Sequence, residues 1–296
     1  MKHELNFFLL LSVFSFTIYS CESKKPEEEK SIDNEVLDPN SSLNTNFDGK
    51  IFSIPSPVQT SILIKEANLP FMEALLSDPE DVTLYTSEAK RALNLGIYGT
   101  DLGYSTLYNQ TGLSLKYLNA IEKITRDLGL EGAFDSGFLE RFEKNSSNQD
   151  SLIRIVSDAF RKSDNFLKNN DRKNTSVMIL TGGWIESLYF ASQLNRSSSN
   201  EQIISRIGEQ QQTLTTIIEI LDLYNKNGIN DDILSDLEDL KLTFNMVRVE
   251  YDYLAPETNA SKKMTTFRHV TKIKMDSNVL NMITLKVNNL RSKITE

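Results

Sequence analysis

The sequence predicts an all-α fold, an antiparallel helical bundle or helix-hairpin array of about eight or nine helices. Three observations carry that expectation. None of the seven prolines lies between Asp81 and Ala255, so no breaker interrupts that span. Apolar residues within it recur at helical spacing rather than strand spacing. Two long segments, Ala92–Tyr108 and Val177–Leu194, each contain one charge, Asp101 and Glu186. A helix apolar on every side must be buried, because a surface helix needs a wet face.

The elements follow in order. Helices are expected at 57–68, 87–109, 113–128, 136–145, 149–169, 174–195, 200–226, 230–254 and 277–294. In the fifth, Leu152, Ile155, Val156, Ala159, Phe160, Ser163 and Leu167 form one stripe. Ile203, Ile207, Gln210, Leu214, Ile217, Ile218 and Leu221 do the same in the seventh. In the eighth the stripe is Ile233, Leu237, Leu240, Phe244, Val247 and Tyr251. "NGIND", Asn227 to Asp231, supplies one helix stop and the next start. Between Pro256 and Asp276 the pattern lapses, and an extended connection is expected. The chain divides into residues 1–20, a signal peptide; 21–50, a disordered tether; 51–255, a helical domain; 256–276, the connection; and 277–296, a C-terminal helix packing on the body.

The two nearly uncharged helices align on their acids. Leu95 falls on Leu180, Asp101 on Glu186 and Tyr104 on Tyr189, a register that fits an internal duplication or two core helices built alike. Gly182 and Gly183 in mid-helix cost about 1 kcal/mol each against alanine, which a close helix crossing beside Trp184 would offset. A lone ionised carboxylate cannot stay in a core without a partner or a shifted pKa. Asp101, Glu186, Tyr104, Tyr108, Tyr189 and Trp184 therefore form a candidate buried polar site. Tyr104 and Tyr108 are the expected hydrogen-bond donors to Asp101, and Tyr189 to Glu186, with a Lys or Arg of a neighbouring helix as the other source. The competing expectation is a shared pocket with aromatic walls, in which two carboxylates about 5–10 Å apart could hydrolyse a glycosidic bond.

Composition excludes several classes. The net charge is -9, and Ala260–Glu296 holds eight Lys or Arg against Asp276 and Glu296. The rest of the chain is thus strongly acidic, which argues against nucleic acid as a partner. The basic tail is expected to pack on acidic neighbours, a polyanion site being the sharper alternative. Past the leader the only histidine is His269. The sequence contains no GxSxG elbow, HExxH zinc motif, Walker loop or dinucleotide fingerprint. No cofactor and no metal site is expected, and no catalytic residue is assigned.

The N-terminus carries an address. Lys2 and His3 precede the uncharged run Leu5–Ser20, the pattern of a secretory leader, and the only cysteine, Cys21, follows at once. "IYSC" resembles the lipobox of bacterial lipoproteins, with Ile18 at minus three, Ser20 at minus one and Cys21 acylated after cleavage. Tyr19 and Glu4 depart from the usual pattern. The acidic run Glu27–Glu29 resembles the cluster that follows the cysteine in some Bacteroidota surface lipoproteins. "GGWIESLY", "ALNLGIYGTDLGYSTLYNQT" and "SLIRIVSDAFRKSDNFLKNND" resemble segments of helical envelope lipoproteins of unassigned function. The resemblance implies an acyl anchor (palmitate among its chains) at Cys21 and a place in the outer membrane, periplasmic or surface-exposed. It implies no activity. The expected function is a non-enzymatic binding or structural role with a possible protein partner in the envelope. The alternative is a carboxylate-dependent hydrolase of envelope or captured polysaccharide.

Overall fold

A computed structural model describes residues 43–54, 57–130, 137–146, 148–268 and 270–296, all within one compact unit, Ile32–Glu296. The leader, Cys21 and His269 lie outside the described residues. The fold is an all-α array. Its helices are α1 (Pro57–Glu66), α2 (Glu88–Leu107), α3 (Thr111–Asp127), α4 (Phe138–Lys144), α5 (Gln149–Asn169), α6 (Lys173–Ser198), α7 (Glu201–Leu223), α8 (Asp231–Phe244) and α9 (Ser277–Thr295). Two 3-10 turns, Glu73–Leu75 and Pro79–Thr83, lie in the strap joining α1 to α2.

At the centre α2 packs on α6. Every residue of α2 from Ala92 to Leu107 is buried, as is α6 from Thr181 to Ser192. The backbones touch: a Cβ placed on Gly96 would stand 2.0 Å from the Ile179 carbonyl oxygen, and one on Gly182 1.9 Å from that of Leu93. Thr100 Oγ1 donates across to the Gly183 carbonyl at 3.2 Å. Contacts advance together along both helices, from Gly96 and Ile179 through Thr100 and Gly183 to the rings of Tyr104 and Phe190. The central pair is therefore parallel, and sequence neighbours such as α2 and α3 fold back antiparallel around it. Ser105 meets Ser114 at 3.0 Å where that hairpin turns.

Amphipathic helices close the shell. α9 buries Val279, Ile283, Val287, Leu290 and Ile294 against α6, α8 and α2. Asp276 caps its first turn, accepting from the Asn278 and Val279 amides at 2.9 Å. The basic tail does pack on acidic neighbours: Lys286 pairs with Asp239 at 2.8 Å and Lys293 with Asp236 at 2.5 Å, both on α8.

Two boundaries differ from expectation. Regular structure is present before residue 51, in the hairpin of β1 (Leu43–Phe47) and β2 (Lys50–Ile54) around the Asp48–Gly49 turn. Both turn residues have positive φ, the geometry an Asp-Gly hairpin prefers. Phe47 is 1% exposed, 6.0 Å from the Tyr224 ring and under the Lys168 ammonium. One aromatic thus fixes a segment whose composition reads as tether.

The eighth helix stops at Phe244 rather than at residue 254. The chain turns at Asn245–Val247 and becomes β3 (Arg248–Asp252), β4 (Glu257–Asn259), β5 (Met264–Thr266) and β6 (Val270–Lys274), a two-stranded ribbon in which β3 pairs β6 and β4 pairs β5. From Val247 to Tyr253 apolar and charged residues alternate strictly, and this period of two overrides the helical stripe.

The crossing makes a direct prediction. Gly96→Ala and Gly182→Ala should each destabilise by at least about 1–3 kcal/mol, because the new methyl meets backbone that cannot swing away. Gly112, in the first turn of α3 with open space around it, is the control. Gly112→Ala should stabilise by about 0.5–1 kcal/mol. Urea unfolding of the three variants measures the difference.

Candidate functional site

The two acids meet. Asp101 on α2 and Glu186 on α6 are both 0% exposed, and their carboxyls hydrogen-bond one another. The partner that neutralises them comes from α9. Arg291 donates through Nε to Glu186 Oε2 at 2.6 Å and through Nη2 to Oε1 at 2.9 Å, a bidentate pair. The same Nη2 reaches the Leu75 carbonyl at 3.1 Å and Ser77 Oγ at 2.8 Å. The guanidinium lies 4.3 Å from the centre of the Tyr189 ring, a cation–π contact, and its side chain is 13% exposed.

Ser77 joins the cluster to the strap through three groups. Its amide donates to Asp101 Oδ2 at 3.3 Å, its hydroxyl accepts from Arg291, and its carbonyl accepts from the Tyr117 hydroxyl at 2.6 Å. Asp101 Oδ1 receives no hydrogen bond from a donor among the described residues. Burial pushes the Asp101 carboxyl well above its ordinary range, and the adjoining Glu186 charge pushes it further. Burial by itself would lower the Arg291 guanidinium; Glu186 reverses the sign and holds it up. Asp101 is thus a neutral acid donating to a carboxylate that Arg291 grips. The cluster is neutral overall, the condition under which charge tolerates a core.

The aromatic residues serve the strap instead of the acids. Tyr104 OH accepts from the Met72 amide at 3.2 Å and donates to the Pro70 carbonyl at 3.4 Å. Tyr108 OH donates to the Leu69 carbonyl at 2.7 Å, and Tyr98 OH to that of Asp78 at 2.8 Å. Burial raises all of these phenols and that of Tyr117, so they remain donors. The expected bonds from Tyr104 and Tyr108 to Asp101, and from Tyr189 to Glu186, are replaced by the Ser77 amide and Arg291. The reason is local: an irregular strap exposes unpaired carbonyls, and these claim the hydroxyls first. Trp184 stands apart, donating from Nε1 to Gln210 Oε1 at 2.9 Å beside a cavity of about 10 Å³ that Thr60, Ser187 and Arg206 also line. That space holds about one water.

Arg291 and Ser77 were not singled out from sequence. Arg291 left a trace, since it interrupts the apolar stripe Val287–Leu290–Ile294 in a tail rich in cations. Ser77 left none, because only the folded strap brings it to the acids. Both acids are sealed from solvent, whereas a two-carboxylate glycosidase holds its acids about 5–10 Å apart around an open cleft. Among the described residues no group of three or more His, Cys, Asp or Glu could hold a metal ion, and no helix is long and apolar enough to cross a membrane.

Removing one side of the ion pair strands the other. Glu186→Gln and Arg291→Met should each destabilise by about 3–5 kcal/mol. Arg291→Lys should recover only part of the loss, since an ammonium cannot make two parallel bonds. Asp101→Asn should behave differently, because an amide is neutral and can still donate to Glu186. The folded carboxyl keeps its proton above its ordinary value of 3.8, while the unfolded chain releases it. Stability from this group is therefore complete below about pH 4 and lost as pH rises, by up to about 1.4 kcal/mol per unit, until the folded group titrates. The stability of Asp101→Asn relative to the parent should thus grow with pH above about 4. Urea titrations of both chains from acid to neutral pH read this difference directly.

No protein-family model, no curated protein and no solved structure matches this chain.

Proposed function

We propose that this chain is a lipid-anchored protein of the bacterial outer membrane with a non-enzymatic binding or structural role. The observation that supports the second half is the use of the two central acids. Asp101, Glu186 and Arg291 spend their hydrogen bonds on one another and on the strap at Leu75 and Ser77. A catalytic carboxylate needs access to its substrate proton within about 3 Å. These carboxylates face α9 and the strap. Their role is to lock three distant parts of the chain into one rigid body. A rigid body on a tether suits a protein partner in the envelope, and the acidic surface opposes nucleic acid.

The anchor rests on "IYSC" and on the charged stretch that follows it in the sequence. Each methylene of an acyl chain adds about 0.8 kcal/mol on entering the bilayer, so two or three chains at Cys21 hold the protein there on ordinary timescales. Cys21→Ser tests the proposal. The variant should appear as an unprocessed precursor or in the soluble fraction, and should take up no radiolabelled palmitate. Normal cleavage together with unchanged membrane partitioning would overturn the anchor.

A further inference from the structure

The ribbon of β3 to β6 has no role in the core. From Arg248 to Lys272 every described residue is exposed, and at the base the half-buried Ile273 packs on the core beside Gly208 of α7. Despite that exposure it carries large apolar side chains. Tyr253 and Phe267 are each 70% exposed, and Val249, Tyr251, Leu254, Met264 and Val270 are also open. They occupy both faces. Val249 and Tyr251 alternate with Asp252, which stands opposite Val270, so Val270 lies on the other side of the ribbon from Tyr251.

Charge separates the ribbon from the body. Between Arg248 and Lys274 six cations (Arg248, Lys262, Lys263, Arg268, Lys272, Lys274) face three acids (Glu250, Asp252, Glu257) in a chain of net charge -9. Each acid already has a cation: Arg268 with Glu257 at 2.6 Å, Lys272 with Asp252 at 2.6 Å and Lys274 with Glu250 at 4.0 Å. Lys262 and Lys263, in the turn between β4 and β5, pair with no acid among the described residues.

We propose that this ribbon is a second membrane contact, lying in the headgroup layer of an anionic bilayer. Aromatic rings with a polar edge and cations on long apolar stems are the side chains that this layer favours. A protein partner would cover one face of the ribbon. A headgroup layer surrounds it, and so accommodates apolar groups on both faces. Lys272 and Lys274 on β6 also oppose addition of a further strand there, the usual device for guarding an open edge. The acidic remainder of the chain is repelled by the same surface that attracts the ribbon, which orients the molecule ribbon-down. The inference rests on the membrane location proposed above, and because the chain tested below lacks Cys21, its outcome bears on the ribbon alone.

Cys21→Ser leaves a full chain without thiols, and Ala255→Cys then places an environment-sensitive fluorophore in the exposed ribbon beside Leu254. Leu242→Cys, exposed on α8, is the matched control. With vesicles containing phosphatidylglycerol, the label at 255 should shift to the blue while the label at 242 does not. The shift should vanish with phosphatidylcholine alone and at high salt, where the screening length falls from about 10 Å at 0.1 M to about 3 Å at 1 M. Lys262→Ala with Lys263→Ala should raise the lipid concentration at the midpoint roughly twenty-five-fold, taking about fivefold per lysine near an anionic surface. No change at 255 on adding phosphatidylglycerol vesicles would overturn the ribbon proposal and leave the acyl anchor, which this chain lacks, untouched. So would a shift indifferent to lipid charge, or a concentration-dependent shift without vesicles, which would assign the ribbon to a second copy of the chain.

Discussion

The bidentate pair between Glu186 and Arg291 is the constraint on which the remaining architecture rests. Glu186 sits at the middle of α6, one of the two central buried helices, where an unneutralised charge is prohibitively costly. Its partner arrives from α9, 105 residues later in the chain. Only one axial position of α9 on the body brings Arg291 to the carboxylate, so the pair sets the register of the last helix. The apolar stripe of α9 supplies the adhesion; a stripe alone tolerates sliding by a turn, and a fixed guanidinium does not. Asp101 completes the balance by keeping its proton, so one positive and one negative charge remain.

From that centre the order of the strap follows. Residues between α1 and α2 form no long helix and leave the carbonyls of Leu69, Pro70, Leu75 and Ser77 without backbone partners among the described residues, while that of Asp78 accepts from the Asp81 amide as well. Tyr108, Tyr104, Arg291, Tyr117 and Tyr98 satisfy them in that sequence. Phenylalanine would pack as well at these sites but would leave buried acceptors unpaired, at about 1–3 kcal/mol each. The tyrosines of α2 and α3 are thus explained by the irregular segment they cover. The same bonds seal the acids from solvent, which turns a potential site into a lock.

This division of labour places the interior and the surface in different roles. The core is neutral, close-packed at the α2–α6 crossing and bonded inward, with little left to offer a ligand. The features that can engage other molecules lie on the periphery, in the exposed aromatic and basic ribbon.

The sequence by itself determined the helices, because each shows its burial in local spacing. Bounds agree within a few residues from α1 to α7 and again at α9, where 3.6-residue periodicity is uninterrupted. It also determined that Asp101 and Glu186 belong to the core, since single acids in uncharged helices cannot be surface residues. Phe47 and the run Val247–Tyr253 show where local reading fails: one aromatic outweighed a polar composition, and a period of two outweighed a plausible helical stripe. Tertiary structure alone decided which groups satisfy the acids. The tyrosines nearest in sequence were drawn away by strap carbonyls, while Ser77 and Arg291, remote in the chain, took their place. Hydrogen bonds over such separations depend on how helices cross; the mid-helix glycines signal a close crossing in the sequence, but that Gly96 meets Ile179 and Gly182 meets Leu93 is decided only in three dimensions.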